Sequence, residues 1–206
     1  KSGDDEVTFK IDIHASAPIE RIDIRNGLET EEIFRPYAEA DLGRRIRVLW
    51  EGSEYRGRGR ETVWDGSAEL DGNSFERLDP INRYNIDKRF EQTGDNRLDW
   101  AALTTGGFGG FDAWLGGADA GTLKIDTDLI KEEIAIKDIG YDEMIFANGG
   151  IDRRIRIFRL PDENPHCALT LERRMKLAGD RDNALYVRIT QEDGHFIWSS
   201  PIYIFR

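Results

Sequence analysis

The chain has 206 residues, 39% of them hydrophobic, and a formal net charge of −11 from 40 acidic against 29 basic residues. That excess of negative charge repels phosphodiester backbones and argues against nucleic-acid binding by bulk charge. No run approaches the ~18 apolar residues that crossing a bilayer requires, which speaks against membrane insertion. Cys167 is the only cysteine, so no intramolecular disulfide is possible and packing must hold the fold. Twenty-one glycines, ten phenylalanines, six tyrosines and five tryptophans, set in short runs, point to strands and turns rather than bundled helices.

After a charged lead, Val7, Phe9, Ile11 and Ile13 alternate with polar residues, which predicts a strand ending near Ala15 to Pro18. Ile19 to Arg25 reads as a second strand, closed by the turn signal Asn26-Gly27. Leu28 to Asp41 reads as a strand and then a loop interrupted by Pro36. From Arg44 to Trp50, Ile46, Val48 and Trp50 share one face while Arg45, Arg47 and Leu49 share the other, so half of this strand is expected to be buried. Thr62 to Leu70 holds an Asp65-Gly66 turn candidate beside Trp64, with Asp71-Gly72 able to move the turn. Asp79 to Asp99 is polar, contains Pro80, and reads as an insertion or long connection rather than core.

The stretch from Trp100 to Gly117 is rich in glycine and aromatic residues. Beyond it, 122–126, 133–137, 153–160 and 169–177 are each short and alternating. Gly179 to Asn183 then turns the chain into a final hairpin, Tyr186 to Phe205, built around Glu192-Asp193-Gly194. Leu185, Val187 and Ile189 share the core face of its first strand, and Tyr186, Arg188 and Thr190 share the wet face. Pro201 cannot donate to a ladder, so it belongs at an edge or a bulge where the last strand bends.

About a dozen short strands predict an all-β, mainly antiparallel β-sandwich, immunoglobulin-like or larger, with long loops and little helix. A single domain over 1–206 is the first expectation. The alternative is two small sandwiches dividing near 105–120, suggested by the likeness of Arg44-Arg45-Ile46-Arg47-Val48 to Arg153-Arg154-Ile155-Arg156-Ile157. The chain opens on Lys1-Ser2-Gly3-Asp4 with no signal-peptide pattern before residue 20, and it reads as a piece of something longer. Its compartment stays open between cytoplasmic and exported.

Candidate chemistry is sparse. His14, His166 and His195 are far apart and form no metal-binding motif, so no metal site, cofactor or catalytic residue is assigned. Asp126 and Asp128 could accept calcium at a strand edge, although a solvated acidic edge serves as well. Cys167 follows His166 directly, and adjacent strand residues point to opposite faces, which opposes a nucleophile-base pair. Arg56, Arg58 and Arg60 form the one concentrated basic patch and suit an anion, against the alternative of an exposed hairpin salt-bridged to Glu51, Glu54 and Glu61. The strongest binding candidates are Trp100, Phe108, Phe111, Asp112 and Trp114. Phe111, Ala113 and Leu115 would face inward, leaving Asp112 and Trp114 outward, where an indole beside a carboxylate can stack on a sugar ring. The competing use of Trp100 and Trp114 is to plug the sandwich or an interface with another domain.

Four stretches together resemble a known family. Tyr186-Val187-Arg188-Ile189-Thr190-Gln191-Glu192-Asp193-Gly194 with Trp198-Ser199-Ser200-Pro201-Ile202-Tyr203 looks like the C-terminal signature of the large bacterial proteins grouped as domain of unknown function 3604. Ile24-Arg25-Asn26-Gly27, Trp64-Asp65-Gly66 and the Thr104 to Trp114 stretch are also similar to that family's C-terminal part. The family's N-terminal part resembles the polymerase and histidinol phosphatase superfamily, whose histidines and acids bind divalent metals for phosphoester or related hydrolysis. None of those His-x-His motifs occurs here, so the resemblance implies a non-catalytic β-rich domain that follows the hydrolase-like one. The expected function is an accessory domain that packs on or positions that hydrolase-like domain of the same polypeptide. A carbohydrate-binding module using aromatics around Trp114 is the alternative.

Overall fold

A computed structural model describes residues 6–58 and 60–205. The all-β expectation holds: among the described residues there are nineteen strands and no α-helix, only two 3-10 turns. The strands are β1 (Glu6–His14), β2 (Ile19–Asn26), β3 (Glu29–Phe34), β4 (Arg45–Ser53), β5 (Thr62–Val63), β6 (Gly66–Asp71) and β7 (Phe75–Ile81). Next come β8 (Phe90–Thr93), β9 (Arg97–Trp100), β10 (Leu103–Thr104), β11 (Phe108–Leu115), β12 (Thr122–Thr127) and β13 (Lys131–Ala135). The chain finishes with β14 (Met144–Ala147), β15 (Ile151–Leu160), β16 (Ala168–Lys176), β17 (Asn183–Gln191), β18 (Phe196–Trp198) and β19 (Ile202–Ile204). No helix among the described residues is long and apolar enough to cross a membrane.

The strands gather into two compact units, one made of Lys1–Tyr37 with Glu163–Arg206, the other of Ala38–Asp162. This partition differs both from one sandwich over 1–206 and from a division near 105–120. A cut at 105–120 would pass through β11, which is hydrogen-bonded on one side to β4 and on the other to β7, and so would tear a sheet. The Arg-Ile likeness that suggested duplication also has another cause. β4 and β15 are antiparallel neighbours, with Val48 opposite Ile157, so both strands supply isoleucine and valine to the same face.

In the unit Ala38–Asp162, one sheet has the order β14-β15-β4-β11-β7 and the other β13-β12-β6-β9-β8. Ile46, Val48, Phe111, Ala113, Ile155 and Ile157 of the first sheet pack against Ala68, Leu70, Leu98, Leu123, Ile125 and Ile134 of the second. These are the alternate residues of each strand, as a two-layer sandwich demands. The unit made of the chain's two end segments is smaller. Its β1-β16 ribbon contributes Phe9, Ile11, Ile13 and Leu171, and its sheet, ordered β18-β17-β2-β3 with β19 also on β17, contributes Ile22, Ile24, Leu185, Val187 and Ile189.

The final hairpin forms with the expected faces: Leu185, Val187 and Ile189 are buried. β18 pairs with β17 as Arg188 opposite Trp198, and β19 pairs with it as Leu185 opposite Ile202, one residue out of step. The slip falls at Ser199 to Pro201. There the Ser199 Oγ accepts the Val187 N–H at 3.1 Å, replacing a ladder bond that the bulge removes.

Three local expectations are corrected. Asp79–Asp99 is not a mere connection, because β8 and β9 form a hairpin within it and Leu98 reaches the core; only 82–89 is loop. The turn sits at Asp71-Gly72, where Gly72 has φ +74°, while Gly66 begins β6 beside the Asp126 carbonyl. Finally, both faces of β4 are buried, Arg45 and Arg47 included.

Gly110 shows how tightly the central strands approach, since a Cβ there would lie 2.1 Å from the Val48 carbonyl oxygen. Gly110→Ala should therefore cost at least about 2 kcal/mol in urea denaturation, because main chain must shift. Gly140→Ala, where nothing lies within 4 Å, should leave the midpoint nearly unchanged. Equal midpoints for the two variants would contradict this packing.

Candidate functional site

β11 carries four of the five aromatic and acidic candidates, and the period-2 alternation distributes them as the sequence predicts. Phe111 points into the core while Asp112 and Trp114 lie on the opposite face. That face is not wet at Asp112, whose carboxylate is 4% exposed as a residue and is gripped by two arginines of β4. Arg47 donates through Nε to Oδ1 at 2.7 Å and through Nη2 to Oδ2 at 2.9 Å; Arg45 donates to Oδ2 from Nη2 at 2.5 Å and from Nε at 3.1 Å. Burial pushes the Asp112 carboxyl up, but the charges and hydrogen bonds of Arg47 and Arg45 outweigh it, holding the group below the usual carboxylate range. Trp114 is half-buried. The guanidiniums of Arg45 and Arg77 stand 4.9 and 4.2 Å from its ring centre, and its Nε1 donates to the Asp162 carbonyl at 3.1 Å. The ring thus already has cationic neighbours, and Asp112 has no oxygen left for a sugar hydroxyl.

Trp100 and Phe108 belong elsewhere, to a pocket of about 400 Å³. Its floor is the indole pair Trp50 and Trp100, stacked with ring centres 5.0 Å apart and planes 6° from parallel. Phe111 braces this pair from the core side, 6.2 Å from Trp50 and 5.7 Å from Trp100. Phe90 and Phe108 add apolar wall, and the glycine run of β11 adds bare main chain. The loop 82–89 forms the rim with Arg83, Tyr84, Asn85 and Lys88. Arg83 shapes that loop by donating from Nη2 to the carbonyls of Ile86 and Lys88, both at 2.7 Å. Arg89 leans on Asp99 at 3.2 Å.

The sequence reading missed Trp50, taken only as a core residue, and Phe90 with the whole rim, assigned to a connection. A signal was present: Arg83, Lys88 and Arg89 crowd beside aromatic residues in an otherwise acidic chain.

The remaining candidates do not line this pocket. Arg56, Arg58 and Arg60 are exposed on a loop whose Gly59 lies outside the described residues. Among the described residues Glu51 pairs instead with Arg154 at 2.5 Å and Arg156 at 3.1 Å. Asp126 pairs with Lys131 at 2.8 Å, and among the described residues no group of three or more His, Cys, Asp or Glu could hold a metal ion. Cys167 is exposed, and the carbonyls of Cys167 and His166 accept the amides of Ala15 and Ile19.

Removing the carboxylate from the Asp112 cluster takes away the charge that the two buried arginines share. Asp112→Asn should cost about 3–5 kcal/mol in chemical denaturation. Because the folded pKa of Asp112 is depressed, its contribution is fully present above the unfolded carboxylate pKa and disappears as pH falls through the lower folded value. The wild type should therefore lose stability in acid more steeply than Asp112→Asn; parallel pH profiles would count against the cluster.

Comparison with protein-family models, with curated proteins and with solved structures gives no match to this chain.

Proposed function

We propose that the chain is a non-catalytic accessory β module that docks on a metal-dependent hydrolase-like domain of the same polypeptide through the outer face of its C-terminal hairpin. The observation that carries this reading is an exposed aromatic surface. Trp198 is 54% exposed, Tyr203 60% and Phe205 76%, with Phe196 and Ile202 beside them in sequence. Cross-strand pairing places Phe196 and Trp198 on the same face as Thr190 and Arg188, and Tyr203 on the same face as Tyr186. The rings are ordered among themselves: Tyr186 stacks on Trp198 at 6.2 Å, and Tyr203 on Phe205 at 6.2 Å. Contiguous aromatic surface flanked by arginine is the composition of a protein interface core.

The identity of the partner rests on the sequence resemblance described above. The competing reading, a sugar platform around Trp114, loses support because Asp112 is engaged by two arginines and Trp114 has its ring and N–H occupied.

Hydrogen exchange should separate docked from undocked surface. In the longer polypeptide, the amides of 196–205 should exchange at least about tenfold more slowly than in the 206-residue chain alone. Trp198→Ala with Tyr203→Ala should abolish that protection. Equal exchange in the two forms would overturn the docking reading, and metal-dependent turnover of a model phosphoester by the 206-residue chain would overturn the non-catalytic one.

A further inference from the structure

The pocket on the Trp50–Trp100 pair has three properties that packing alone does not require. First, Trp50 is 5% exposed, yet its indole Nε1 has no hydrogen-bond acceptor among the described residues, whereas the buried Trp64 donates to Thr104 Oγ1 at 2.9 Å and Trp100 to the Trp64 carbonyl at 2.5 Å. The Trp50 N–H is not sealed off from solvent, so an acceptor entering the pocket can reach it, whereas the N–H groups of the other two buried indoles are already used. Second, the space beside this N–H is kept open by Gly109, where a Cβ would stand 2.8 Å from Nε1. Third, no aspartate or glutamate lines the pocket, although the chain has 40 of them in 206 residues; the charged lining side chains are Arg83, Lys88 and Arg89. Of these, Arg89 is shared with Asp99, while Lys88 makes no ion pair among the described residues.

We infer that this pocket binds a small acidic sugar, one or two rings bearing a carboxylate. The flat C–H face of the ring lies against the aromatic wall, as sugars do on indole and phenyl surfaces. The Trp50 N–H donates to a ring or hydroxyl oxygen, and Lys88 with Arg83 holds the carboxylate. The rim supplies further polar residues for hydroxyls, since Asn85 and Thr105 also line the pocket. A volume of about 400 Å³ suits a ligand of that size. The inference is independent of the hairpin's docking role, since every residue it uses lies between 50 and 110.

The test is a titration of the 206-residue chain followed by the five indole N–H resonances, with Trp50→Phe identifying the Trp50 signal. Digalacturonate should shift that resonance saturably at concentrations up to about 20 mM. The uncharged galactose disaccharide should bind at least about tenfold more weakly, and Lys88→Glu, on an exposed rim loop, should weaken digalacturonate by about tenfold or more while leaving the thermal midpoint unchanged. An unmoved Trp50 resonance would overturn the inference. So would equal binding of the neutral disaccharide, an effect of benzoate matching that of digalacturonate, or unaltered affinity in Lys88→Glu.

Discussion

The outer unit depends on two antiparallel ladders that join the first strands of the chain to its late ones. β1 pairs with β16 over nine residues, from Glu6 opposite Lys176 to His14 opposite Ala168, and β2 pairs with β17 from Ile19 to Asn26. A buried amide clamp fixes the second ladder. Asn26 Nδ2 donates to Asn183 Oδ1 at 2.8 Å, Asn26 Oδ1 accepts the Ala184 N–H at 2.9 Å, and the Tyr186 hydroxyl donates to the Gly27 carbonyl at 2.9 Å. The intervening chain, Ala38–Asp162, is a complete sandwich that begins and ends at one place: Gly43 N–H donates to the Leu160 carbonyl at 3.0 Å and Arg44 N–H to Asp162 Oδ1 at 2.6 Å. A unit whose ends meet can be inserted into a loop of another at little cost in loop closure. Folding of the outer unit, by contrast, must wait for contacts between distant segments, a slow step for any chain.

Within the inserted sandwich, arginine does work that hydrophobic residues do elsewhere. Arg45 and Arg47 meet Asp112 in a cluster whose forks are filled from two directions, a geometry that lysine could not supply. Arg159, also buried, donates to the carbonyls of Ile139 and Ile136 at 2.7 Å and of Ala118 at 2.7 Å, tying the ends of several strands together. Burial pushes the Arg159 pKa down, opposed by Asp119 and Asp162, which is the electrostatic cost of using a cation as a strand tie. Replacing such a group with methionine keeps the volume but removes the donors on which four carbonyls draw, those of Ile136, Ile139, Ala118 and Gly43.

These arginines also explain which parts of the structure were legible in the sequence. Alternation located β1, β2, β4, β12, β13, β15, β16 and β17 but missed β7, β8, β9 and β14; the hairpin turn at Asp193-Gly194 and the Pro201 bulge were readable because they follow from local backbone chemistry. Alternation reports polarity, however, and not solvent. Arg45 and Arg47 alternate with Ile46 and Val48 like any half-wet strand, and the counter-charge that permits their burial stands on β11, more than sixty residues away. The same blindness to distant partners hid the inserted topology and the pocket. Phe90 and the rim of 82–89 sit in a polar stretch that reads as a connection until β9 brings Trp100 against Trp50.

The two uses of aromatic residues follow from how each sheet ends. In the inserted sandwich, Trp50, Trp64 and Trp100 lie inside, where stacking and hydrogen bonds order them. In the outer unit, the sheet ends in β18 and β19, each three residues long and separated by the bulge at Ser199 to Pro201. Short, broken, proline-bearing edge strands resist pairing with another chain's main chain. A partner meeting this edge cannot simply extend the sheet. What it meets is the side-chain face of Trp198, Tyr203 and Tyr186, with Arg188 lying 5.6 Å from the Trp198 ring centre and bonded to the buried Asp23. In the docking proposed above, the bulge that looks like a folding detail would select the mode of recognition: it disfavours strand addition and leaves aromatic packing, whose strength depends on shape and burial.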